Sequence, residues 1–230
     1  MKNYIVATIK PWNIQQYKKV VKNLPGKWYL IDQPKKLNLA YIRKINPEFI
    51  FFPHWSWKVS DEIINDYECV CFHMTDLPYG KGGSPLQNLI KRNHTKTVVT
   101  ALKMEKKFDS GPIYFKKKLS LKGSAHVIYT NFALIAFDLI KKIISEKPKL
   151  KKQLGRTVVF KRRIPEESIV PKKISLKNIY DHIRMLDAPT YPKAFIEWGS
   201  KIIEFDKAEK LKGRVEARVI IYDKTKKRNY

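Results

Sequence analysis

Between residues 4 and 72 the chain alternates four short apolar runs with stretches of helical spacing, and no other feature limits its folding options as much. Residues 4–9, 28–31, 49–52 and 68–72 are too short and too uniformly apolar to be amphipathic helices. They read as strands buried on both faces. Between them, Pro11 marks a helix start and residues 14–24 carry helical spacing that Gly26 stops. Residues 37–45 and 60–65 are the next two helical stretches. Short apolar strands alternating with helices predict an α/β fold on a parallel sheet. Ligands of such sheets bind beyond the carboxyl ends of the strands, so the residues after the third and fourth runs draw attention first.

The remainder extends this pattern. Residues 77–85 form a loop holding three of the nine glycines, followed by a helix over 85–91 with Ser84 as its expected N-cap. Residues 97–104 and 113–119 read as strands joined through the turn Asp109-Ser110-Gly111-Pro112. A long helix is expected over 124–145, with Val127, Leu134, Ile135, Leu139 and Ile143 as its apolar stripe. A lysine-rich stretch at 146–156 suggests a boundary, giving a catalytic domain over 1–150 and a small extension over 151–230. That extension is read as one helix near 176–186 plus a β-hairpin, with strand-like runs near Phe195, Ile202 and Val219.

The 230 residues carry 47 Lys and Arg against 21 Asp and Glu, a formal charge of +26. Any polyanion is attracted to such a chain. Only nine of the 47 are arginines and the lysines are scattered, so a nucleic-acid partner is disfavoured. Cys69 and Cys71 cannot build a disulfide framework. The apolar region 127–144 is broken by Asn131, Asp138, Lys141 and Lys142, which argues against a membrane span. The amino terminus lacks a signal-peptide pattern, so a cytoplasmic protein is expected.

His73 ends the fourth run, and Asp109 occupies a tight turn 36 residues later. A carboxylate beside an imidazole makes an acid–base pair, though either residue also suits an ordinary turn. Cys71 lies two residues before His73 on the same strand face and reads either as a nucleophile or as a small core residue. His54-Trp55-Ser56-Trp57 offers two indoles at a strand end, suited to a flat ring or to closing the core. Five separated histidines and two cysteines on one strand give no metal site. The chain has neither a phosphate-loop lysine motif nor a glycine fingerprint after its first strand, which runs instead into Lys10-Pro11-Trp12-Asn13.

Taken in order, His73, Leu77-Pro78, the glycine loop, Pro85, then Asp109 and Gly111 resemble the signature of the folate-dependent formyltransferases. The resemblance spans about residues 49–119. It implies a Rossmann-like amino-terminal domain, a short carboxyl-terminal extension and N10-formyltetrahydrofolate as formyl donor. Within the family, the 75–88 run, Arg162-Arg163-Ile164-Pro165 and Arg184 resemble the nucleotide-linked amino-sugar N-formyltransferases, including the PseJ-like branch. The implied acceptor is the amine of a nucleoside-diphosphate amino sugar. An aminoacyl-tRNA acceptor, or a binding protein without activity, is the alternative. Members acting on tRNA add a barrel domain, and only about 75 residues follow Gly155. A homodimer is an open option.

By that resemblance His73 and Asp109 are catalytic, and Cys71 stands where the family has an Asn that donates to the developing oxyanion. A thiol is a weak donor, so Thr75, Asn88 or a backbone N–H would have to replace it. Trp55, Ser56, Trp57, Lys58, Val59 and Ser110 are expected along the folate. Gly80, Lys81, Gly82, Gly83, Ser84, Asn88, Arg162, Arg163 and Arg184 are expected along the acceptor substrate.

Overall fold

A computed structural model describes residues 1–224. In chain order the elements are β1 (Asn3–Ala7), α1 (Pro11–Val20), β2 (Lys27–Ile31), α2 (Leu39–Ile45), β3 (Phe49–Pro53), α3 (Asp61–Asp66), β4 (Cys69–His73) and β5 (Tyr79–Gly82). They continue with α4 (Pro85–Lys91), β6 (Lys96–Lys103), β7 (Ile113–Ser120), α5 (Ala125–Glu146), β8 (Val158–Phe160), α6 (Leu176–Arg184), β9 (Ala194–Trp198), β10 (Lys201–Leu211) and β11 (Arg214–Asp223). Two compact units result. One holds Met1–Gly82, Thr97–Leu119 and Tyr129–Val159; the other holds Gly83–Lys96, Ser120–Ile128 and the chain from Phe160 onward.

The first unit is built on a six-stranded sheet in the order β2-β1-β3-β4-β6-β7. Neighbours among β2, β1, β3 and β4 run parallel, and β6 lies antiparallel to β4. The sheet is therefore mostly parallel, as the strand–helix alternation demands. Its central strands are buried throughout: every residue of β3, and Ile5, Val6 and Ala7 of β1. The helices start and stop where local chemistry directs. The Asn38 side chain accepts from the Tyr41 N–H at 2.9 Å to open α2, and Asn46 closes it in the left-handed region. The Ser60 hydroxyl caps α3 by accepting from Ile63.

Two expectations are corrected here. Val127 and Leu134 are exposed, and the buried stripe of α5 runs through Ile128, Phe132, Ala136, Ile140 and Ile143. A helix that is apolar over most of its circumference hides which face the core selects. Ser84 does hold the N-cap position of α4, at φ 49°, but its side chain does not cap: the hydroxyl accepts from the Arg163 N–H at 3.1 Å instead.

Glu48 fastens the edge of this unit. It accepts from Lys2 at 2.7 Å, Lys147 at 2.8 Å and the Tyr4 hydroxyl at 3.0 Å. Burial alone would raise its carboxyl, but these three donors outweigh burial and hold it at about 2, below its usual 4.5. A depressed carboxyl contributes stability above the unfolded-state value and loses it as pH falls toward the folded one. Glu48→Gln is therefore expected to lower Tm by roughly 2–4 °C at neutral pH. The gap to wild type should close between pH 4.5 and 2, as thermal melts across that range will read.

In the second unit, β9, β10 and β11 form an antiparallel sheet, one strand more than the expected hairpin. Asp206 is buried and takes two hydrogen bonds from Arg218, at 2.7 and 2.5 Å. The Ser175 hydroxyl caps α6. Among the described residues no helix is long and apolar enough to cross a membrane.

Candidate active site

β4 is apolar until its last residue, and the sheet delivers that residue, His73, to the carboxyl edge while keeping it 93% hidden from solvent. Its Nε2 lies 2.8 Å from the Gly80 carbonyl oxygen, so Nε2 carries a proton and donates. Its Nδ1 lies 3.5 Å from Oδ1 of Asp109. One ring nitrogen is thus engaged by a backbone carbonyl and the other faces a carboxylate at longer reach.

Asp109 is held by its backbone as firmly as by its charge. The turn places it at φ 53°, a left-handed conformation that Asp tolerates better than most residues. Its Oδ2 accepts from the Gly82 N–H at 2.9 Å. Its carbonyl accepts from Gln153 Nε2 at 2.8 Å, and the same amide reaches the Gly111 carbonyl at 2.9 Å. Gly111 has no substitute, because a Cβ there would overlap the Lys103 carbonyl oxygen.

Thr75 is fully buried and donates to the same Gly80 carbonyl at 3.2 Å, while its own carbonyl accepts from the Thr100 hydroxyl at 2.6 Å. Its hydroxyl is therefore already engaged. Gly80 and Gly82 adopt φ 77° and 101°, which the turn of β5 under His73 requires.

Cys71 sits beneath this pair, packed with Leu77, Leu102 and Ile113. Burial, then the nearby Asp109 charge, push its thiol well above the ordinary range. The thiolate of a nucleophile is thereby suppressed. Burial likewise raises Cys69, to about 12. Cys71→Ala is expected to leave transfer within about threefold of wild type, read in a single-turnover assay. A loss of a hundredfold would restore the thiol to the chemistry.

After β3, the tryptophan loop divides its residues. Trp55 packs edge-on against Phe52, at 6.1 Å, and against Trp57, at 5.3 Å. Its indole N–H is buried with no protein acceptor among the described residues. Ser56, Trp57 and Lys58 face solvent, whereas Val59 belongs to the core. His54, at φ 57°, lies among Trp12, Tyr129 and Phe132. Burial, then Lys10, lower it to about 3, so it stays neutral. Ser110 donates to the Lys107 carbonyl at 2.7 Å.

The first unit thus brings together His73, Asp109, Thr75, Cys71, Gly80, Lys81, Gly82 and Ser110. Gly83, Ser84, Asn88, Arg162, Arg163 and Arg184 belong to the second unit. Two of these already hold protein partners. Asn88 Nδ2 is committed to the carbonyls of Gly83, Ser84 and Lys161. Arg184 is buried, bound to Asp181 at 2.6 Å and to the Leu121 and Gly123 carbonyls. Arg162 is exposed, and Arg163 donates to the Glu167 carbonyl. Gln153 was missed, since a lone glutamine between lysines gives no signal in sequence.

Residues 165–222 match the family described as methionyl-tRNA formyltransferase, C-terminal domain. The chain is 42% identical to a solved methionyl-tRNA formyltransferase from Clostridium thermocellum. That match covers 97% of this chain and 100% of the other, with a TM-score of 0.94. It is 28% identical over 201 residues to the methionyl-tRNA formyltransferase of Mesoplasma florum, covering 82% of this chain and 63% of that protein. The chain therefore spans less than two thirds of that curated relative's length. A 4-N formyltransferase from Francisella tularensis shares the fold at 13% identity, with a TM-score of 0.67 and 86% and 93% of the two chains covered.

Proposed function

Since the chain belongs to the formyltransferase family, we propose that it moves a formyl group from N10-formyltetrahydrofolate to a primary amine carried by an aminoacyl-tRNA. The observation that carries the reaction is buried His73 at the end of β4, with one ring nitrogen on the Gly80 carbonyl and the other facing half-buried Asp109. In the step, the neutral amine attacks the formyl carbon. The new C–N bond forms, the bond to N10 breaks, the amine loses a proton and N10 gains one. An imidazole held against a carboxylate stabilises the charge that passes through it. Positioning of the two reactants lowers the barrier further.

The Gly80 carbonyl has a role in this reading. It receives two donors, His73 Nε2 and the Thr75 hydroxyl. When His73 turns its N–H to the formyl oxygen, Thr75 still satisfies the carbonyl, so the exchange leaves no buried acceptor unpaired. Thr75 therefore supports the oxyanion through His73, in a site where Cys71 cannot supply a strong donor. The tryptophan loop suits the folate: the buried Trp55 N–H lacks an acceptor, and Trp57 offers a ring face beside it.

For the acceptor, the named relatives at 28% and 42% identity act on methionyl-tRNA by their names. A charge of +26 suits a polyanion. The scatter of lysines, which disfavoured nucleic acid in the sequence, does not weigh against a partner held by its backbone phosphates. The amino-sugar nucleotide expected from the 75–88 run is the competing outcome. A single-turnover assay with the formyl donor separates them. Formylation of Met-tRNA, with steep loss between 50 and about 200 mM salt, supports the reading. Formylation of an amino-sugar nucleotide alone overturns the tRNA acceptor, and formylation of neither overturns the transfer.

A further inference from the structure

We propose that a cavity of about 550 Å³ beside the Asp109 turn is the docking site for a phosphorylated ribose of the acceptor substrate, a ligand class that rests on the formyl-transfer reading above. The volume falls within the range of small-molecule sites, about 300–1,000 Å³. All of its wall comes from the first unit.

Gln153 gives the cavity its polarity. Its Nε2 is fixed by the Asp109 and Gly111 carbonyls, and turning the amide over would set oxygen against oxygen. Oε1 must therefore face the other way, where it is buried and accepts from no group among the described residues. A ligand hydroxyl would satisfy that acceptor. Glu105, also in the wall, is a second acceptor for a neighbouring hydroxyl.

Lys81 and Lys152 give the cavity its charge. Neither has a carboxylate within ion-pair reach among the described residues, so both remain available to a phosphate. Two acceptors and two ammonium groups match the hydroxyls and phosphate of a ribose phosphate. Pro78, Pro112 and Leu150 add apolar wall beside them. The placement also has a chemical consequence. Ser110 and Gln153 line the cavity and hold the Asp109 turn, so a nucleotide bound here delivers its amine next to the His73–Asp109 pair.

Calorimetric titration of the full chain with AMP and with UDP, at about 0.15 M salt and without a formyl donor, tests the site. The expected result is one nucleotide bound per chain, with affinity at least about tenfold weaker in Lys152→Glu. Lys19→Glu, on the exposed face of α1, should leave that affinity unchanged. Tighter AMP supports a nucleic-acid source and tighter UDP a nucleotide-sugar source; either supports the cavity. Binding of neither nucleotide overturns the proposal. So does equal weakening by both reversals, which bulk charge alone would produce. Because no formyl donor is present, failure here is read separately from failure of the transfer reaction.

Discussion

His73→Asn is expected to reduce single-turnover formyl transfer by about 10²–10⁴-fold while leaving the fold in place. The imidazole performs two tasks that an amide cannot combine. Nε2 presents a proton toward the Gly80 carbonyl, the position a formyl oxygen would take over, and Nδ1 faces the Asp109 carboxylate. Asn retains an N–H but has no second nitrogen against Asp109 and cannot carry the charge. The structural cost is small, because the Gly80 carbonyl keeps its hydrogen bond from Thr75. A Tm lower by a few degrees, at about 2–4 °C per kcal/mol, accommodates the loss of a buried ring. Near-normal turnover in this variant would remove His73 from the chemistry and with it the proposed reaction. A collapsed fold would be read in the same melt, and Thr75→Val, which removes the hydroxyl at nearly constant volume, would then show whether the Gly80 carbonyl needs both donors.

The sequence exposes this site unevenly, for reasons that can be named. β3 and β4 were legible because strands buried on both faces must be apolar from end to end, as Phe49–Pro53 are. The parallel sheet then places the end of β4 at a ligand edge, which makes His73 conspicuous. Asp109 was legible because its turn chemistry, Asp-Ser-Gly-Pro, is written locally. What could not be read depends on chain brought from elsewhere. Gln153 lies 44 residues from Asp109, and nothing in its neighbours announces that it holds the turn. Arg184 looked like a charge for a ligand; its partners, the Leu121 and Gly123 carbonyls, are over 60 residues away. On α5, Leu139 and Ile143 are buried as expected, and Val127 and Leu134 were misplaced for a different reason. With apolar residues at 127, 128, 132, 134, 135, 136 and 137, periodicity alone admits more than one buried face, and packing chooses.

Asp109→Asn should cost about 10²–10⁴-fold in transfer with no measurable change in Tm, and the contrast with Asp109→Ala explains why. Asn tolerates the left-handed φ of 53° that the turn imposes. Its single oxygen will face the Gly82 N–H, since the reverse orientation would set two donors together. The amide Nδ2 then points at Nδ1 of His73, which can accept it only as the unprotonated nitrogen. The ring is held neutral, with its only N–H at Nε2, and the charge that develops during transfer meets a dipole instead of a carboxylate. Ala leaves the same electrostatic loss but also frees the Gly82 N–H and keeps the left-handed strain. It is expected to lower Tm by roughly 2–6 °C besides losing activity. Melting curves and single-turnover rates for both variants separate the two roles. If Asn transfers at the wild-type rate, the carboxylate charge is not used. If Ala and Asn melt together, the Gly82 hydrogen bond does not hold the turn, and that work falls to Gln153, whose amide reaches the turn from the opposite side through the Asp109 and Gly111 carbonyls.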